Sequence, residues 1–280
     1  MIQKLTIEPQ SVQETMLIPL WGRAKYSQLY PELLDDPKAD KIIEKIAYDF
    51  SKFEKEFKEY GGLCYLVRAR NFDNAVREYI QKYPEATVVN LGAGLDTTFS
   101  RIDNGKIKWY DLDLSDAIGF RKKLIPETSR SECIVKSVFD TSWFDDVEYK
   151  EEKGIYFLTG GLFQYFKESE ISELVSYMAE RFPNGEMIFD AVSKRGIRLG
   201  NRMIKKAGNK GAQMYFGLGN PAKQISKYSD NIEVTDWYPY WHGIKRDSRW
   251  GKSTIFKINF CDWFKMAKFV EIKFYKGMVK

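Results

Sequence analysis

Histidine is nearly missing: His242 is the one imidazole in 280 residues. A site built from several histidine ligands is therefore excluded, and a Ser-His-Asp triad has a single candidate for its base. Cysteine is almost as scarce. Cys64, Cys133 and Cys261 lie far apart, odd in number, with no C-x-x-C pair. That usage suits neither a disulfide framework nor a zinc site, and points to a reducing cytoplasm. No apolar run reaches the roughly 18 residues of a membrane span. The opening Met1-Ile2-Gln3-Lys4-Leu5-Thr6 lacks the apolar stretch of a signal peptide. Repeats and low-complexity linkers are absent. Charge is nearly balanced, with 44 basic and 39 acidic residues giving +5. The basic residues are scattered, which reads as a solvated surface rather than a nucleic-acid footprint. The expectation is a soluble cytoplasmic protein with no nucleic-acid partner and no membrane partner. Nothing in the sequence sets its oligomeric state.

What is present is ordinary for one globular domain: 44% hydrophobic and 30% charged residues. Ala39, Ile42, Ile43, Ile46 and Ala47 recur at helical spacing after Asp35-Asp36-Pro37, which supplies caps and a helix-start proline. Phe72, Ala75, Val76, Tyr79 and Ile80 repeat that spacing up to Tyr83-Pro84, where proline stops a helix. The period then changes. Ala86 to Leu91, Ile107 to Asp111, Glu132 to Val135, Gly154 to Thr159 and Met187 to Val192 are short, apolar and β-branched, and read as buried strands. Between the last two, Ile171, Leu174, Val175 and Met178 form one helical face, with Glu170 and Glu173 expected in its first turn. Strands alternating with helices imply βαβ units and a mostly parallel sheet. The aromatic-rich stretch from about Met214 to Tyr275 reads as strands with one helix among them, and Val270, Ile272 and Phe274 alternate with Glu271 and Lys273 as a closing strand. One domain is expected: a helical cap at 1–84, a ligand-binding core at 85–195, and an insertion with C-terminal strands at 196–280.

Such sheets bind ligands at the carboxyl ends of their strands. The first strand ends in Asn90-Leu91-Gly92-Ala93-Gly94-Leu95-Asp96-Thr97-Thr98. Glycines there allow a sharp turn and a close approach of backbone to ligand. The second strand ends in Asp111-Leu112-Asp113, and a carboxylate at that place accepts hydrogen bonds from ribose hydroxyls. A dinucleotide fingerprint wants a third glycine where Thr97 stands, so the loop favours an adenosyl ligand without phosphates.

This loop resembles the first motif of the leucine carboxyl methyltransferases and of the related polyketide-tailoring (tetracenomycin-type) O-methyltransferases. The resemblance runs over roughly residues 11 to 195. It includes Ser11-Val12-Gln13-Glu14-Thr15-Met16-Leu17-Ile18-Pro19-Leu20, Val67-Arg68-Ala69-Arg70-Asn71-Phe72-Asp73, and Ser137-Val138-Phe139-Asp140. It implies S-adenosyl-L-methionine as cofactor. It also implies a Rossmann-like α/β fold: a doubly wound, mostly parallel seven-stranded sheet with N-terminal helical additions and an antiparallel closing strand. The implied acceptor is a carboxylate of a small molecule or a peptide end. Carried over by position, Arg68 holds the methionine carboxylate, Gly92 and Gly94 form the cofactor loop, and Ser137 and Val138 form the adenine side. Asp113 matches the ribose acid, while Asp111 shares its face two residues back; the choice between them stays open. Arg23 matches a basic contact to the cofactor. Gly160, in Thr159-Gly160-Gly161-Leu162, stands where some relatives have glutamate, and the glycine pair lets backbone pass under the cofactor. Tyr165 is the recurrent tyrosine of that motif, orienting substrate or packing.

Trp237-Tyr238-Pro239-Tyr240-Trp241-His242 suits either a pocket wall or a core. Lys194-Arg195, Arg198, Arg202, Lys205 and Lys206 suit either attraction of an acidic acceptor or a solvated face. Two other classes compete with the methyltransferase: a nicotinamide-dependent oxidoreductase using the same loop, and an adenosyl-binding protein without catalysis.

Overall fold

The computed structural model describes residues 4–7, 12–206 and 213–277. Of the residues named above, Met1 to Gln3, Ser11 and the side chains of Val12, Gln13, Lys205 and Lys206 lie outside the described part.

The chain runs through β1 (Leu5–Thr6), α1 (Val12–Leu29), α2 (Pro37–Ile43), β2 (Ile46–Ala47) and α3 (Ser51–Lys82). Next come β3 (Thr87–Leu91), α4 (Thr98–Ile102), β4 (Lys108–Asp113), α5 (Ser115–Leu124), β5 (Ser131–Val135), β6 (Ile155–Thr159), α6 (Glu168–Arg181) and β7 (Glu186–Val192). It ends with α7 (Lys194–Lys206), α8 (Pro221–Ile225), β8 (Ile232–Pro239), α9 (Lys252–Trp263) and β9 (Ala267–Phe274). Seven strands form one sheet in the order β5-β4-β3-β6-β7-β9-β8. The first five are parallel, and β9 runs antiparallel between β7 and β8. Strand order reverses between β3 and β6, which puts the ligand crevice of such a sheet at their carboxyl ends.

The sheet is buried on both faces because its strands are apolar at successive positions. Val88, Trp109, Leu158 and Ile188 join one apolar layer with α1 and α3; their neighbours Val89, Tyr110, Phe157 and Phe189 join the other with α6. That alternation is the period-two pleat. The α6 layer is dense in rings, with Trp143 and Phe182 stacked at 6.0 Å and Phe157 5.1 Å from Phe182.

Several elements differ from the sequence reading. The expected helix over Ala39 to Ala47 ends at Ile43, and Ile46–Ala47 pairs in parallel with Leu5–Thr6 instead. Its start is as expected: Asp36 caps α2 by accepting from the Ala39 amide at 3.1 Å, with Pro37 first in the helix. The helix ahead of Phe72 is far longer than its periodicity showed, because Gly61-Gly62 reads as a break. A Cβ on Gly62 would lie 1.9 Å from the Tyr26 ring, so that glycine lets α1 press against α3. Glu168 and Glu170 occupy the first turn of α6; Glu173 lies beyond it and accepts from the Tyr177 hydroxyl at 3.2 Å. The tail holds two helices, α8 and α9, rather than one.

Candidate active site

The turn after β3 is tied down from its inner side. Gly92, at φ +69°, donates its amide to the Leu112 carbonyl of β4 at 2.8 Å. Arg121 of α5 spans the turn, donating to the carbonyls of Gly94 (3.0 Å) and Asp96 (2.8 Å) and pairing with Asp111 at 2.5 Å. Asp96 caps the next turn through the Thr98 amide at 3.1 Å. Burial would raise the Asp96 carboxyl, but Arg101, Arg23 and Arg121 hold it below its ordinary range. Beneath lies a buried charge network. Asp36 accepts from Arg23 (3.0 Å), Arg101 (2.7 Å) and the Thr97 hydroxyl (2.6 Å), while Asp73 takes Arg101 in a two-pronged pair, both bonds 2.8 Å. Thr97, where a dinucleotide loop has glycine, is thus a member of this network.

These contacts separate the two acids at the end of β4. Asp111 is 1% exposed and already accepts from Asn90 (3.1 Å), the Trp109 indole (2.9 Å) and Arg121. Asp113, half-buried at the strand end, accepts one backbone amide on each oxygen, from Gly94 and Leu114, both at 2.8 Å. Burial pushes its pKa up and those amides pull it back. A carboxylate has about four lone-pair sites. Asp113 therefore keeps acceptor capacity beside the glycine turn.

Arg68 projects from α3 at the other side of the crevice. Its side chain is 16% exposed, and its nearest carboxylate oxygen, on Asp190 of β7, is 3.8 Å away. It packs 5.2 Å from the Tyr65 ring. No Arg68 donor makes a hydrogen bond among the described residues. Burial opposes its charge, and the oxygens of Tyr240, Asp190, Tyr65 and Tyr165 around it more than offset that, raising its pKa. Asp190 accepts from the Gly161 amide at 2.6 Å, and Gly161, at φ +73°, leaves room that Arg68 fills: a Cβ there would lie 2.5 Å from the guanidinium nitrogen. Burial raises the Asp190 carboxyl above its ordinary range, against the pull of Arg68 and of that amide.

The structure thus gathers Arg68 and Tyr165 at one end and Asp113, Gly92 and Gly94 at the other. Tyr165 is 40% exposed on the turn after β6. Ser137 and the buried Val138 follow β5, where the Ser137 hydroxyl accepts from the Phe139 amide at 3.3 Å. Two glycines are shaped by the protein itself. A Cβ on Gly160 would meet Phe72 at 2.9 Å, and one on Gly92 would meet both methyls of Leu162 at 2.9 Å. Arg23 has its donors committed to Asp36 and to the Leu95 carbonyl at 2.7 Å. Tyr240 and Trp241 are buried in the core, and His242 is exposed on the turn beyond.

An adenosyl amino acid fits these groups. Its carboxylate suits the half-buried Arg68 guanidinium, whose planar fork of donors has no partner among the described residues and matches a carboxylate in a two-pronged way. Its ribose hydroxyls suit the free acceptor sites of Asp113. Sequence reasoning missed Asp190, although an acid within Met187-Ile188-Phe189-Asp190-Ala191-Val192 is a visible signal. It also missed Arg121 and the network of Asp36, Asp73 and Arg101, whose members are scattered along the chain.

Comparison with known proteins agrees. The model of the leucine carboxyl methyltransferase family matches residues 17–179, more than half of the 280-residue chain. The tetracenomycin polyketide synthesis O-methyltransferase TcmP of Streptomyces glaucescens is 29% identical over 79% of this chain and 81% of its own length. The S-adenosyl-L-methionine-dependent methyltransferase dpfgK of Gibberella zeae is 24% identical over 91% of each chain. A crystal structure of a candidate methyltransferase from Thermobifida fusca shares the fold, with TM-score 0.59 at 9% identity over 85% of this chain and 93% of that one.

Proposed function

The chain belongs to the leucine carboxyl methyltransferase family and is an S-adenosyl-L-methionine-dependent methyltransferase. From that premise we propose that it methylates a carboxylate of a small molecule or a peptide end. The observation carrying the site assignment is Arg68, a half-buried guanidinium that makes no hydrogen bond among the described residues. In this reading Arg68 binds the methionine carboxylate in a two-pronged fashion. Asp113 takes the ribose hydroxyls, and Asp111 acts behind it by holding Arg121 against the glycine turn. Gly92, Gly94 and Gly160 shape the crevice, and Ser137 and Val138 face the adenine. Tyr165, exposed beside the Arg68 end, orients the acceptor.

The bound cofactor supplies a methyl on a sulfonium, already a good leaving group. What is left to the protein is alignment of acceptor and methyl and exclusion of water. A carboxylate with an ordinary pKa near 4 is ionised at neutral pH and needs no base. A phenol near pKa 10 would need one. The one imidazole, His242, is exposed after β8, and Asp190 is engaged with Arg68 and the Gly161 amide. Both facts favour an acceptor that arrives ionised.

The test is an acceptor screen with methyl-labelled cofactor, followed by mild alkali. A methyl ester releases labelled methanol, and the chemical step stays nearly flat between about pH 6 and 8. An alkali-stable product, or a rate climbing through that range, contradicts the carboxylate and leaves the methyltransferase intact.

A further inference from the structure

α9 turns a row of aromatic rings to solvent: Phe256 is 70% exposed, Phe260 43%, Trp263 83%, and Phe264, just past the helix, 44%. The rings lean on one another, with centroids 6.5 Å apart for Phe256 and Phe260, 4.6 Å for Phe260 and Phe264, and 6.0 Å for Trp263 and Phe264. The other face of α9 is already seated: Thr254 and Ile258 are buried, and Cys261 sits 2.9 Å from the Tyr60 hydroxyl. The exposed rings are thus surplus to packing within the chain. An apolar patch of this kind marks an interaction surface.

The unpaired charges described around it are cationic, while the nearby acids are engaged: Glu59 accepts from the Gly251 amide at the start of α9 at 2.9 Å. α7 begins beside the far end of the row, where the Ser193 amide donates to the Met266 carbonyl at 2.7 Å. α7 contains no acid; it exposes Arg195, Arg198 and Arg202, together with Leu199, 48% exposed. The one acid of α9, Asp262, is paired with Arg246 at 2.5 Å. At the rim, Lys257 and Lys265 lie over the rings of Tyr60 and Trp237, at 5.8 and 4.9 Å, with no carboxylate partner among the described residues.

We infer that this face docks the protein on an anionic lipid surface. Aromatic rings settle at the headgroup level of a bilayer, and exposed cations meet lipid phosphate. A second copy is the poorer occupant, because joining two such faces would set cation against cation. The contact is peripheral: among the described residues no helix is long and apolar enough to cross a membrane. It is independent of which acceptor the active site takes.

Sedimentation with vesicles of phosphatidylcholine, with and without phosphatidylglycerol, tests this on the full chain. The native protein should pellet with the phosphatidylglycerol vesicles and be released by high salt. Phe256→Ser with Trp263→Ser, both highly exposed positions, should abolish pelleting while the circular dichroism stays native. Arg195→Gln with Arg198→Gln should weaken binding about fivefold per cation, equivalent to ~1 kcal/mol each. Failure of the native chain to pellet with anionic vesicles overturns the inference. So does a concentration-dependent dimer, seen by sedimentation velocity, that the Phe256→Ser, Trp263→Ser pair disperses.

Discussion

Replacing Arg68 by alanine tests the cofactor assignment at its most exposed point. A ligand carboxylate would lose a two-pronged, charge-assisted pair, which costs on the order of 1.5–3 kcal/mol. That corresponds to a dissociation constant raised roughly 10- to 150-fold, at about 1.4 kcal/mol per decade. The structure adds a second effect. Asp190, 11% exposed and 3.8 Å from Arg68, would then face the incoming carboxylate without a screening cation. The loss should therefore fall at the upper end of that range, and Arg68→Ala with Asp190→Asn should bind better than Arg68→Ala alone. Arg70→Ala is the control, since two residues along a helix turn the side chain to another face. The assay is calorimetric titration of S-adenosylhomocysteine into each variant, with melting curves to confirm folding. Equal, small effects of Arg68→Ala and Arg70→Ala would refute the assignment.

The two acids of β4 should part company. Asp111→Asn leaves Arg121 buried without its partner and should lower stability by ~3–5 kcal/mol, read by urea unfolding. Asp113→Asn should leave the melting temperature nearly unchanged and weaken S-adenosylhomocysteine about tenfold or more. Gly161→Ala, at φ +73° with its Cβ 2.5 Å from the Arg68 guanidinium, should displace that side chain and weaken the cofactor while far-ultraviolet dichroism stays native. Lys268, 3% exposed and donating to the Leu218 and Gly219 carbonyls at 3.1 and 2.6 Å, has its pKa lowered by burial from 10.5 to about 8. Between those two values the unfolded chain binds the extra proton, so this group makes stability rise with pH. Lys268→Met should remove that rise from melting curves taken between about pH 8 and 10; an unchanged slope would show that burial does not tax this lysine.

The parallel core was legible because short apolar runs, most of them opened or closed by glycine, proline or an acid, have few alternatives. Val88-Val89 and Phe157-Leu158 split between the two faces of the sheet as a buried parallel strand requires. The helical cap was not legible in full. α1 carries Pro19 inside it and α3 contains Gly61-Gly62; both read locally as ends and are overridden by packing of α1 on α3, whereas α3 does break, at Lys58, φ 53°, where the sequence carries no such signal. Of the proposed site, Gly92, Gly94 and Asp113 follow from motif order and Arg68 from the family resemblance. That Asp111 is committed to Arg121, and that Asp190 stands beside Arg68, depends on strands and helices brought together by the fold. No spacing along the chain announces either pair.

In the proposed complex an adenosyl amino acid is held between Arg68 and Asp113 across the glycine turn. Titrating S-adenosylhomocysteine into folded, ligand-free protein measures it most directly. A single site of micromolar affinity, near −8 kcal/mol, is expected, with a matching rise in melting temperature and no response to NAD. Absence of both heat and melting shift with S-adenosylhomocysteine would contradict it.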